Sequence, residues 1–400
     1  MKFLFHTVTL GQTGGARVIL NLSKILVDRG HDVTVIIDRN KVDYELPAGV
    51  SVKYLSAFGL KAVEGLKVSG ASSQNGLTLN SVEKALKPKV KLLSLAFKWF
   101  KYFLKLLVVY PVKFILIRNF LKKYKPDLVA SHNMYQELEH FWFYRGLNFY
   151  LVLHNSPNEV YTERPIFSFM PIKNYLSGVK TIAVSEDASL ELNLLFGGVI
   201  GKRHTIYNPF DFELIRAKAA KNLPKGVPEN FFLVVAALSS RKRIDRLIKA
   251  IQKVDSDIEL VILGGGDDEN SLKRLTHDLG LADKVHFQGF SENPYAYISK
   301  AKALLLSSDS EGLPTVLIES LICSTPIIST NCPTGPREIL RGDLRRFLVE
   351  LGSEEEVVSG LAARMSEVVS GVVDISSSGI DRFEKEMVAI QWEKLARGEA

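Results

Sequence analysis

Glu311 and Glu319 are separated by seven residues and bracket a Gly-Leu-Pro-Thr turn that leads into an apolar run. Pro314 suits the first turn of a helix, which puts Glu311 on a loop and Glu319 inside the helix. At about 1.5 Å per residue, the two carboxylates would lie roughly 8–12 Å apart along one ligand. That span suits two separate hydroxyl groups on an extended molecule. The unpaired N–H groups of a helix start favour an anion between them. A helix with one surface Glu and one capping Glu has the same spacing.

Arg241-Lys242-Arg243 follow the apolar stretch Phe231–Leu238. Cations at the carboxyl end of a strand face the ligand crevice of an open α/β sheet, where they would neutralise a diphosphate. Solvated charges opening a helix are the plainer account. Gly11-Gln-Thr-Gly14-Gly15 sits between a strand pattern and a helix pattern. Glycines allow close backbone approach to a phosphate or sugar. The stretch is not a G-x-G-x-x-G fingerprint, Asp38 is only the nearest candidate acid for a ribose, and a simple strand-to-helix turn also accounts for it. His132 and His154 end the apolar runs Leu128–Ala130 and Leu151–Leu153, where α/β sites form but a single His is more often structural. Asp255-Ser-Asp257 is a D-x-D string, a divalent-cation motif in other transferases. It lies in a polar turn away from every other motif, so no metal and no cofactor is expected.

These groups need elements to hold them. Strand-like runs alternate with helical ones from Lys2 onward, which argues a parallel α/β sheet. The pattern resumes near Phe231 after Ile206-Tyr-Asn208-Pro209, giving two α/β halves. The chain has 400 residues, 46% hydrophobic and 24% charged, which excludes a disordered chain, a collagen-like fibre and a coiled-coil rod. Its 2 cysteines exclude a disulfide scaffold.

The net charge is +7, and its distribution is uneven. Residues 84–125 hold 12 Lys/Arg, no Asp/Glu and, from Phe97 to Tyr124, 9 aromatics. The rest of the chain carries 39 cations against 44 acids. Lys91, Lys98, Lys101 and Lys105 fall within roughly an 80° arc at 100° per residue, with Trp99 and other apolar residues over much of the remainder. That is the pattern of a helix lying in a membrane interface with Lys toward lipid phosphates. Helices buried on the protein itself with snorkelling Lys are the alternative, and nucleic acid is disfavoured by the broad apolar face. Pro111 is expected to bend or divide the helix. The longest apolar candidate, Leu92–Ile117, is interrupted by four lysines, so no spanning helix is expected. The start MKFLFHTVTL lacks a small-residue cleavage site, so a reducing cytosolic location is expected.

Together these stretches resemble the family-4 retaining glycosyltransferases of GT-B fold. The resemblance is carried by Gly14-Gly15-Ala-Arg17, Arg29-Gly-His-Asp-Val-Thr-Val35, Ala183-Val-Ser185-Glu, Ile206-Tyr-Asn208-Pro209, the E-x7-E block Glu311–Glu319 with Ser320–Ser329, and Thr334–Leu340. It implies two Rossmann-like domains facing across a cleft: residues 1–207 for the acceptor, completed by helix 378–400, and residues 208–377 for the nucleotide sugar. It also implies roles. Glu311 and His154 would act at the transferred sugar, Glu319 would hold the ribose, and Lys242 the phosphate. Backbone N–H groups of Gly312, Leu313, Pro314 and Thr315, of which Pro314 lacks its own, would hold the diphosphate together with Gly14 and Gly15. Phe290 would lie by the base. The family usually has an Arg five residues before the Lys; this chain has Ala237 there, which Arg241 or Arg243 would have to replace.

The expected activity is therefore retaining, metal-independent transfer of a hexose or N-acetylhexosamine. The donor would be a UDP-sugar and the acceptor lipid-linked or lipopolysaccharide-type, on the inner face of the cytoplasmic membrane. An anionic lipid surface is the expected partner, and nucleic acid is not. A GT-B epimerase and an inactive sugar-nucleotide-binding subunit are the competing expectations.

Overall fold

The computed structural model describes residues 1–11, 13–56, 59–63, 109–132, 141–158, 177–371, 373–375 and 379–399. Packing divides the chain into two compact units, one of Met1–Tyr150 with Ala396–Glu399 and one of Leu151–Leu395.

The first unit opens with β1 (Lys2–Thr7), α1 (Gly14–Asp28) and β2 (Asp32–Ile37). The helix starts where the Thr13 hydroxyl accepts the Ala16 N–H, and it buries Ile19, Leu22, Ile25 and Leu26. β3 (Val50–Ser56) continues parallel to β2, and β4 (Gly59–Ala62) closes that edge antiparallel. Neither strand was legible in the sequence: only Val52, Leu55 and Ser56 of β3 are buried, so no clean alternation marks it. α2 (Tyr110–Tyr124) carries Pro111 in its first turn, and the stretch before Val109 that this proline is expected to bend or divide lies outside the described residues. Ile117 and Leu121 are its buried residues. Lys113 pairs with Asp38 at 3.0 Å, and Arg118 donates to the carbonyls of Phe143 and Arg145. β5 (Leu128–His132) returns beside β1. Lys91, Lys98, Trp99, Lys101 and Lys105 of the expected interfacial helix lie outside the described residues.

β6 (Phe149–Leu153), β7 (Lys180–Ala183), α3 (Glu186–Phe196) and β8 (Arg203–Thr205) follow, then α4 (Phe212–Ala219). The first sheet has the order β4-β3-β2-β1-β5-β6-β7-β8.

A second, six-stranded sheet is built from β9 (Phe231–Val235), β10 (Glu259–Leu263), β11 (Val285–Gly289), β12 (Ala303–Leu306), β13 (Ile327–Thr330) and β14 (Leu348–Val349). Its pairings are all parallel. Between them run α5 (Ile244–Gln252), α6 (Glu269–Asp278), α7 (Pro294–Ile298), α8 (Thr315–Ile322) and α9 (Pro336–Ile339). α10 (Glu354–Ser370) is set by a capping box of Ser353 and Glu356, and α11 (Lys385–Arg397) follows near the end. β9, β10 and β12 are near-continuous apolar runs because helices cover both faces. Among the described residues no helix is long and apolar enough to cross a membrane.

Candidate functional site

The second sheet runs β11-β10-β9-β12-β13-β14, so the chain moves outward from β9 on one side and returns to β12 on the other. Ligands of open α/β sheets bind outside the carboxyl ends of the strands at such a reversal. The loop after β9 carries Arg241 and Lys242, and the loop after β12 carries Glu311. A small pocket between the two strand ends is lined by Ala236, Lys242, Ser307 and Ser308.

Glu311 is buried, with 6% of its surface exposed. Lys242 Nζ donates to its Oε1 at 2.6 Å, Arg241 Nη1 to its Oε2 at 3.3 Å, and Ser308 Oγ to Oε1 at 2.5 Å. Thr334 Oγ1 donates to the Glu311 carbonyl. Burial pushes the Glu311 carboxyl pKa up, but the charges of Lys242 and Arg241 and the hydrogen bonds from Lys242 and Ser308 outweigh it. The net shift is below the usual carboxylate range, so Glu311 is ionised at neutral pH. Three of the expected site residues therefore form one cluster: two cations on one strand-end loop and a buried carboxylate on the next.

Arg243 is not part of it. Its guanidinium binds both oxygens of Asp245 at 3.1 Å, Glu354 at 2.6 Å and Asp309 at 3.4 Å. Of the two candidates to replace the missing Arg at 237, the structure brings only Arg241 to Glu311.

Gly312 explains the next step of the loop. A Cβ there would fall 2.2 Å from the His154 carbonyl oxygen, so only glycine lets these backbones meet. His154 follows β6 and is half-buried; burial pushes its pKa down to about 4, leaving the ring neutral at pH 7. Leu313 and Pro314 are buried, and Pro314 caps α8, which begins at Thr315. Glu319 lies within that helix, half-buried, with the Tyr295 hydroxyl 3.5 Å from its Oε1. Phe290 follows β11 with 86% of its surface exposed. Gly264 and Gly266, after β10, run against the loop after β9: a Cβ at either would meet the carbonyl oxygen of Ala236 or Leu238. Gly14 and Gly15 open α1 in the first unit.

Two features were not read from the sequence. Glu338 is buried and accepts N–H from Glu186 at 2.8 Å and from Asp187 at 3.4 Å, and the Tyr207 hydroxyl at 2.5 Å. It thus satisfies the amino end of α3, while the Ser185 hydroxyl donates to the Gly312 carbonyl at 3.4 Å. Arg246, on α5, is buried and reaches Asp309. Neither could be inferred from spacing, because both partners are distant in sequence.

Residues 215–367, which include every element of this cluster, match the family described as glycosyl transferases group 1. That stretch is similar to the group 1 glycosyl transferases. The whole chain has the GT-B fold. It superposes on the apo lipopolysaccharide outer core galactosyltransferase WaaB with a TM-score of 0.66 over 100% of both chains, at 18% identity. On Anabaena HepE in complex with UDP and glucose the TM-score is 0.64, at 15% identity over 100% of both chains. In sequence, it is 35% identical over 166 residues (42% of this chain, 45% of the relative) to a Campylobacter jejuni enzyme. That relative is the N-acetylgalactosamine-N,N'-diacetylbacillosaminyl-diphospho-undecaprenol 4-alpha-N-acetylgalactosaminyltransferase. A second C. jejuni relative, an undecaprenol-linked alpha-1,4-N-acetyl-D-galactosaminyltransferase, is 27% identical over 281 residues, 69% of this chain and 72% of its own. The match spans between 41% and 61% of the length of the five first-ranked relatives. The matched stretch 215–367 thus contains the residues that build the Glu311 cluster.

Proposed function

We propose that the chain is a retaining, metal-independent glycosyltransferase. It moves a hexose or N-acetylhexosamine from a UDP-sugar to a lipid-linked or lipopolysaccharide-type acceptor at the inner face of the cytoplasmic membrane. The observation that carries this reading is the buried carboxylate of Glu311, held between Lys242 and Arg241 at the reversal point of the second sheet. The activities of the two C. jejuni relatives support the substrate class, and the UDP found with HepE supports the nucleotide.

A departing nucleoside diphosphate carries charge that fixed cations and helix N–H groups stabilise in a water-poor site. Lys242 and Arg241 supply those cations, and Arg241 takes the place of the Arg absent at 237. Glu311 binds the transferred sugar's hydroxyls when the donor enters. Neutral His154 donates or accepts one hydrogen bond there without adding charge. Glu319 binds the ribose, Phe290 stacks on the base, and backbone N–H groups near Gly312–Thr315, with Gly14 and Gly15, meet the diphosphate. We place the division between acceptor and donor domains at 207/208, with the stretch 378–400, whose described helix is only α11 (Lys385–Arg397), completing the first. The basic stretch 84–125 docks the enzyme on anionic lipid.

Retention is tested by the anomeric configuration of the product, read by proton NMR coupling constants. Transfer from an α-linked UDP-sugar must give an α-glycoside; a β-glycoside contradicts the proposal.

A further inference from the structure

Arg246 lies among Ile244, Leu247 and Ile248 on the buried face of α5, with 6% of its side chain exposed. A guanidinium is tolerated there only if its donors are paired. Nη1 donates to Asp309 Oδ1 at 2.6 Å and to the Ser307 carbonyl at 3.3 Å, and Nε to Glu354 Oε2 at 3.1 Å. Two of these acceptors belong to the stretch that leads from β12 to Glu311. The third opens α10, the helix packed against α5.

The same stretch grips the opposite loop. Ser307 Oγ donates to the carbonyls of Lys242 at 2.9 Å and Arg243 at 2.8 Å, and the Asp309 N–H to the Arg241 carbonyl at 3.0 Å. Fixing residues 307–309 therefore fixes the backbone of both cations and of Glu311 at once. Arg246 stands behind the cluster beside Arg243, which also reaches Asp309 and Glu354, yet it touches none of the charged groups of Arg241, Lys242 and Glu311.

We propose that Arg246 is a positioning residue: through Ser307 and Asp309 it sets the placement of Glu311 and Lys242, and so the fit of the transferred sugar. The consequence for catalysis rests on the donor-site reading; the placement itself does not. Misplacing a catalytic constellation by about 1 Å can cost about 100-fold in rate. The planar fork matters, since a lysine cannot reach three acceptors in two directions.

The test is Arg246→Met and Arg246→Lys, each examined by crystallography, UDP calorimetry and turnover of a UDP-sugar. Asp309 and Glu354 are 45% and 40% exposed, so water can solvate them when the guanidinium is gone. Arg246→Met is expected to move residues 307–311 by about 1 Å and to lower kcat about 100-fold. UDP affinity should fall less than kcat, because the ribose contact lies on α8 while Lys242 and Arg241 meet the diphosphate. Arg246→Lys should recover part of the rate. An unmoved loop with wild-type kcat, even with a lower melting temperature, overturns the proposal. If Arg246→Met does not fold, Arg246→Lys decides on the same two readouts. If the wild type itself turns over no UDP-sugar, the donor reading falls, and loop displacement alone then decides whether Arg246 positions it.

Discussion

Lys242 Nζ lies 2.6 Å from Oε1 of Glu311, and both side chains are largely buried. Breaking a buried pair by removing one partner typically costs about 3–5 kcal/mol, because the other charge is left uncompensated. Ser308 also bonds Glu311, and the diphosphate of the donor is the proposed second partner of Lys242. A bound donor would thus exchange one set of charge contacts for another rather than strip either group bare.

The two carboxylates should separate by function. Glu311→Ala is expected to abolish transfer while leaving UDP affinity nearly intact. Glu319→Ala should weaken UDP binding by about 1–3 kcal/mol, the range for losing a buried hydrogen bond to a charged group. Calorimetry with UDP distinguishes them; equal UDP affinity in wild type and Glu319→Ala removes the ribose assignment.

Arg241 should act as the relocated guanidinium. Arg241→Ala is expected to lower kcat/KM by a factor of about 10 to 100, equivalent to about 1.5–3 kcal/mol for one charge-assisted contact. Adding Ala237→Arg to that variant should restore part of the loss. Full activity of Arg241→Ala alone, measured by steady-state kinetics, contradicts the relocation.

Stability should fall on acidification. His154 has its folded pKa pushed down to about 4 by burial, so between the unfolded value near 6.5 and about 4 the unfolded chain binds more protons. The stabilisation is therefore present above pH 6.5 and is lost as pH falls toward 4. Glu311, also depressed, adds a loss of the same sign at lower pH. His154→Gln, which stays neutral, should flatten the melting-temperature profile between about pH 4 and 6.5. An unchanged profile contradicts the assignment.

The basic stretch should bind vesicles rich in anionic lipid, weakened but not abolished by about 0.5 M salt. Four engaged lysines at about 1 kcal/mol each give roughly a thousandfold in partitioning. Replacing Lys98, Lys101 and Lys105 with Glu should release the protein and spare UDP binding. If that variant sediments with the vesicles as wild type does, the interfacial reading is wrong.

Much of the cluster was legible because its signals are local. The E-x7-E spacing, the Arg-Lys-Arg run and the apolar strands before them sit within short windows, and strand ends in an α/β sheet are where ligands bind. What stayed hidden depends on tertiary partners. Arg243 reads like its neighbours Arg241 and Lys242 but turns to Glu354, 111 residues away, and Arg246 meets Asp309 across 63. Gly264 and Gly266 follow β10 because their backbones come close to the loop after β9, a partner no short window of sequence shows. β3 and β4 escaped notice because a half-exposed edge leaves no regular apolar period.

The central claim is sugar transfer from a UDP-sugar at the Glu311 cluster without a metal. It is tested most directly by UDP release from a panel of UDP-sugars, with and without membrane lipid extract, in excess EDTA. The account predicts release from at least one donor that rises with the extract, survives the chelator and vanishes in Glu311→Ala. Release no greater than that of Glu311→Ala for every donor, or turnover that returns only with Mn²⁺ or Mg²⁺, contradicts it.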